Sequence, residues 1–203
     1  MKFAIQNPVF PPLSDEQRAI VTNVLSGINT DSPSCAGSGK SHTVRAIARN
    51  WNGYVLSIPF SRTLSDEEKE IYSDLQNVES RNFHAFGKSL CPQGHMFEKG
   101  KCIRLAQAYD AEGFMGIANL VTAMKKEGFG TFATCPPIEQ IAVKYGIDGK
   151  YIADAKKVLI DSDADTVNVD YEDMLRFPVL HGRKITLEAG TLVVLDEVQA
   201  YSP

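Results

Sequence analysis

A length of 203 residues with 43% hydrophobic and 23% charged side chains fits one large globular domain, or one domain with a sizeable insertion. A net charge of −4 excludes a globally basic nucleic-acid binder, so any nucleic acid would be met in a local groove. The sequence has no run of 18 apolar residues, and Asn7-Pro8 interrupts the start too early for a secretory signal, so a cytoplasmic protein with no membrane span is expected.

Pro11-Pro12 keep the N-terminal segment extended. Ser14 and Gln17 then form a Ser-x-x-Gln capping box, followed by a helix with apolar positions Ile20, Val21, Val24 and Leu25 that ends at Gly27. The Gln17 amide is a helix cap on this reading; its paired donor and acceptor also suit the edge of an adenine. Ser34-Cys35-Ala36-Gly37-Ser38-Gly39-Lys40-Ser41 reads as a phosphate-binding loop, with Ser34 at the first position of the G-x-x-x-x-G-K-[ST] pattern. Its glycines let backbone N–H groups turn toward an anion. Lys40 meets the outer phosphates, the Ser41 hydroxyl suits Mg²⁺, and the following helix adds the positive end of its dipole. A strand should feed this loop over residues 28–36, yet Asn29-Thr30-Asp31-Ser32-Pro33 is polar where a buried parallel strand is apolar.

After the loop, Val44, Ile47, Ala48 and Trp51 mark the inner face of a helix ending near Asn52-Gly53. Tyr54–Ile58 is a buried strand leading into Pro59-Phe60-Ser61-Arg62, and Ser65-Asp66-Glu67-Glu68 is expected to cap the next helix. A short strand near Val78 precedes Asn82-Phe83-His84-Ala85-Phe86-Gly87, and the alternation argues for a parallel α/β sheet. Beyond residue 88 three helical stripes follow: Ile117, Leu120, Val121 and Met124; Ile138, Ile141, Ala142 and Tyr145; Ile152, Ala155 and Leu159. Cys91, His95 and Cys102 lie close together, but C-x3-H-x6-C fits no common zinc spacing, and free thiols are expected. Thr191–Leu195 reads as the strongest buried strand of the chain, and it delivers Asp196-Glu197-Val198-Gln199. A phosphate loop upstream makes this acidic pair the second half of a nucleotide site: the first carboxylate holds Mg²⁺ and the second orients the attacking water.

These motifs, in this order, resemble the first motor domain of superfamily 1 DNA helicases of the UvrD/Rep type. Leu13–Gln17 resembles that family's Q motif, Ala36–Ser41 motif I and Asp196–Gln199 motif II. Pro59–Arg62 and Asn82–Phe86 stand at the places of motifs Ia and Ib, and Asp170–Met174 resembles the segment that returns from subdomain 1B to 1A. The resemblance implies a RecA-like P-loop sheet flanked by helices (1–87 and 176–203) with a mostly helical, 1B-like insertion (88–175). It also implies ATP and Mg²⁺ as cofactors and translocation on single-stranded DNA.

The implied catalytic residues are Lys40, Asp196, Glu197 and Gln199. Nucleotide would be held by Gln17, Ala36, Gly37, Ser38, Gly39, Lys40, Ser41 and His42, with Mg²⁺ on Ser41 and Asp196. Phe60 and Phe83 would stack on bases, and Ser61, Asn82 and His84 would also contact the strand. Phe83 also reads as a core aromatic and His84 as a helix-start residue. Three positions depart from the family: Ser34 for a small residue, His42 for arginine and Ala200 for aspartate. Motif III, a second RecA-like domain and its arginine finger are not in the 203 residues, so the resemblance implies a second motor domain or another chain to supply them. By itself this chain is then expected to bind nucleotide weakly and not to unwind DNA. Two other readings are a catalytically weakened module that binds single-stranded DNA or a protein, and an unrelated P-loop kinase.

Overall fold

Ser14 is extended immediately before the first helix, and its hydroxyl accepts the Gln17 N–H at 3.2 Å while Gln17 Oε1 accepts the Ser14 N–H at 2.9 Å. This is the reciprocal cap that the spacing predicts. The computed structural model containing it describes residues 12–33 and 37–196. Its helices are α1 (Asp15–Leu25), α2 (Lys40–Asn50), α3 (Arg62–Ile71), α4 (Phe83–Leu90), α5 (Lys101–Gln107), α6 (Phe114–Lys126), α7 (Ile138–Lys144), α8 (Ile152–Ala164) and α9 (Asp173–Leu180). Its strands are β1 (Val55–Ile58), β2 (Val78–Ser80), β3 (Met96–Phe97), β4 (Asn168–Val169) and β5 (Leu192–Leu195). The described residues form two compact units, one running up to Phe83 and resuming at Thr186, the other His84–Ile185.

The first unit is built on a parallel three-stranded sheet of order β2-β1-β5. All four residues of β1 are buried, which explains its unbroken apolar run apart from Ser57. Leu13, Val21, Ala46 and Ile47 join α1 and α2 in a small core on which Leu192 of β5 also packs. Three expectations are corrected here. Residues 28–33 form no strand and are exposed throughout, because their polar side chains have nothing to bury and Pro33 has no N–H for a ladder. α3 starts a turn earlier than expected: the Ser61 hydroxyl accepts the Leu64 N–H at 3.1 Å, and Ser65 lies buried inside the helix. β5 is apolar but not fully buried. It is an edge strand among the described residues, and Val193 and Leu195 are 40% and 48% exposed.

The second unit is mostly helical. Ile117, Leu120, Val121 and Met124 of α6, Ile141 of α7 and Val158 of α8 are sealed in one core, as their periodicity predicts. Tyr145 caps α7 and is 40% exposed, so that stripe ends at Ala142. β3 and β4 add a two-residue parallel ladder, Met96 opposite Asn168 and Phe97 opposite Val169. Residues 84–87 and 176–185, expected with the sheet, belong to this unit. Pro178, inside α9, has no N–H to offer the Met174 carbonyl one turn back. Gly87 of α4 packs directly on that carbonyl, and any Cβ there would overlap the oxygen.

Five charged residues are buried in the same unit, and four of them, Lys101, Lys125, Asp170 and Asp173, form one cluster. Lys101 Nζ spends all three protons, on the Ser162 and Asp165 carbonyls at 2.7 and 2.8 Å and on Asp173 Oδ2 at 2.7 Å. Lys125 Nζ donates to Asp170 Oδ2 at 2.6 Å and lies 2.7 Å from Asp173 Oδ1. Asp170 Oδ1 accepts the Asp173 N–H and so caps the start of α9. The Asp-x-x-Asp spacing thus ties α5, α6 and α9 to one charge cluster.

Candidate phosphate-binding site

A polypeptide that must turn its N–H groups toward an anion needs residues that tolerate positive φ. Gly37 and Gly39 supply them, with φ of 79° and 81°, and Gly39 is the N-cap of α2. Lys40 and Ser41 occupy the first turn of that helix, where the dipole is positive. Ser41 is exposed and Lys40 half-buried.

Asp196 follows β5 directly, and its Oδ1 lies 4.0 Å from Lys40 Nζ. Residues from opposite ends of the chain therefore meet beside one another. The lysine and carboxylate are both largely covered, at 27% and 22% side-chain exposure. Ser41 and Asp196 offer only oxygen donors, the hard ligand type that suits Mg²⁺. Among the described residues no three His, Cys, Asp or Glu gather into a metal set, so a cation here would complete its shell from phosphate and water.

Gln17 is fully engaged. Its Oε1 serves the α1 cap, while Nε2 donates to the Ser38 and Gly39 carbonyls at 3.2 and 3.4 Å. The amide therefore braces the loop from behind. His42 sits half-buried in the first turn of α2. Ala36, Glu197 and Gln199 lie outside the described residues, as does Ser34.

Phe60 follows β1 and is 47% exposed, next to Ser61. The Ser61 hydroxyl is an acceptor in the α3 cap, and its own proton is not consumed by that bond. Asn82 and Phe83 follow β2 and are half-buried. His84, in the second unit, is half-buried and stacks on Tyr171 with ring centroids 4.0 Å apart. Burial holds its pKa below the ordinary histidine value, which favours the neutral ring. Tyr171 is 50% exposed and was no candidate from sequence. Its contact with His84 joins residues far apart in the chain, and no local pattern announces it.

No family model, curated protein or solved structure matches the chain. The described residues form a mixed α/β protein with a small parallel sheet, in which no described helix is long and apolar enough to cross a membrane.

Proposed function

We propose that the chain is the ATP-binding motor half of a DNA helicase or translocase that acts on single-stranded DNA. The observation that carries this reading is the approach of Lys40, at the start of α2, to Asp196, at the end of β5. In it, Lys40 neutralises β- and γ-phosphate charge, with backbone N–H groups of Gly37–Ser41 around the same phosphates. Ser41 and Asp196 hold Mg²⁺, whose role is to spread the charge of the transferring phosphate. By resemblance, Glu197 orients the attacking water and Gln199 senses the γ-phosphate. Phe60 stacks on a base and Ser61 donates to a backbone phosphate.

The test is Mg·ATP binding by the purified chain and by Lys40→Ala. Loss of one charged phosphate contact should weaken binding at least about tenfold, ~1.4 kcal/mol. Equal affinity in the two proteins overturns the site. A second reading, a single-strand- or protein-binding module with little turnover, draws on the missing strand over residues 28–33. Oligonucleotide binding that persists in a chain unable to take up Mg·ATP would select it.

A further inference from the structure

Reading the edge of an adenine takes an amide with both ends open: an N–H for the ring nitrogen and an oxygen for the exocyclic amine. The Gln17 amide is engaged at both ends within the chain. Its Oε1 accepts the Ser14 N–H at 2.9 Å, and its Nε2 donates to the Ser38 carbonyl at 3.2 Å and the Gly39 carbonyl at 3.4 Å. An amide nitrogen carries two protons, so both are spent. The network also fixes which end is which. A flipped amide would set its oxygen against two carbonyls and its nitrogen against a donor.

The amide is fitted as well as bonded. Gly39 has no Cβ, and one built there would lie 2.6 Å from Nε2, so the amide fills the space that the glycine leaves. Gly39 is the N-cap of α2, and Lys40 is the first residue of that helix. The peptide bonds here are trans, and a trans peptide unit is planar, with its C=O and N–H pointing in opposite directions. Holding the Ser38 and Gly39 carbonyls toward Gln17 therefore aims the Gly39 and Lys40 N–H groups away from it, as a loop that cradles an anion requires. The Gly39 carbonyl is anchored further by the Thr43 N–H at 3.0 Å and the Thr43 hydroxyl at 3.1 Å.

We propose that Gln17 is a positioning residue that acts through the loop backbone on the phosphates, and that the site takes nucleoside di- and triphosphates without selecting the base. This rests on the reading of Gly37–Ser41 as a phosphate loop. Turning the amide to an adenine would give up three bonds within the chain for two to the ligand. A triphosphate engages the same N–H groups, the same lysine and the same Mg²⁺ whatever base it carries. GTP, CTP and UTP are therefore expected to bind beside ATP.

The experiment is calorimetric titration of the whole chain with Mg·ADP, Mg·GDP, Mg·CDP and Mg·pyrophosphate, repeated on Gln17→Ala and Ser14→Ala. The wild type should bind the three nucleotides within about threefold of one another, whereas a bidentate amide–adenine pair would separate them by about five- to 150-fold. Gln17→Ala should weaken all four ligands by one common factor, about two- to tenfold, as expected for a lost hydrogen bond. Pyrophosphate carries no base, so its share of that loss reports the loop alone. Ser14→Ala weakens the same α1 cap but leaves both Gln17 donors in place, and should leave all four affinities unchanged. A wild-type preference for Mg·ADP above threefold overturns the inference, and its disappearance in Gln17→Ala would make the residue an adenine contact. Unchanged affinities in Gln17→Ala, or an equal loss in Ser14→Ala, overturn it in favour of a helix cap alone. A wild-type chain that takes up none of the four overturns the phosphate-loop reading and the inference with it. Should Gln17→Ala fail to fold, Gln17→Glu keeps the capping acceptor without the two donors. It should lower all four affinities by one factor, and a loss confined to Mg·ADP overturns the proposal.

Discussion

Gly39 shows how tightly one position can be determined. Its φ of 81° is a conformation that L-residues with a Cβ adopt at roughly 1–2 kcal/mol, and a Cβ built there would lie 2.6 Å from Gln17 Nε2. The substitution Gly39→Ala therefore acts twice, through backbone strain and by displacing the amide that braces the Ser38 and Gly39 carbonyls. Thermal unfolding of Gly39→Ala, Gln17→Ala and the double variant checks this. The single glycine substitution should destabilise by at least about 1 kcal/mol. The double variant should lose less than the sum, because the displaced amide is already gone. Strict additivity would show that Gln17 does not support the loop.

Between elements, much of the architecture was legible because it depends on local patterns. The capping box of α1 and the stripes of α6 and α8 follow from spacing alone, and each is realised. Lys40 and Asp196 were legible as a pair only because the loop motif and the acidic strand end have a known chemical complement. What the sequence concealed depends on neighbours. Val193 and Leu195 read as buried by hydrophobicity, yet their exposure is set by how many strands flank β5. Ser57 and Ser80 become neighbours only through register. The buried cluster around Asp173 is of the same kind, and it supports a contrast. Asp173→Ala leaves Lys101 and Lys125 in the interior with one acceptor fewer each, and should destabilise the protein by about 3–5 kcal/mol. Lys157→Ala removes an exposed i,i+3 pair with Asp154 and should cost ~0–1 kcal/mol. Urea unfolding monitored by far-UV circular dichroism compares the two; equal losses would mean that the buried cluster carries no special weight.

At the scale of the whole molecule, each unit holds a core of its own, and this decides what can be separated. Residues 84–185 contain the largest apolar cluster, the buried Lys–Asp network and the α4–α9 contact, and roughly 100 residues is an ordinary domain size. Expressed alone, this segment should be helical and unfold in one cooperative step. Its acid limit follows from its carboxylates. Burial pushes Asp165 up, but the N–H groups of Asn168 and the Arg104 guanidinium outweigh it and bring its pKa to about 2. Glu98 is held below its ordinary value chiefly by the hydrogen bond from Arg104, and Glu127 chiefly by that from Lys144. A carboxyl whose folded pKa lies below its unfolded one contributes stability that is complete above the unfolded value, near 4, and is lost as pH falls toward the folded value. Glu172 has the opposite sign, because burial raises it: the folded state takes up its proton before the unfolded state does, so stability gained as pH falls through its folded pKa offsets part of the loss below pH 4. The midpoint of urea unfolding of the 84–185 segment should therefore stay nearly level from pH 7 to about 4.5 and then drop steeply toward pH 2. Asp165→Asn removes the most depressed of these groups and should shallow the drop; a drop of unchanged steepness would assign the acid limit to other carboxylates.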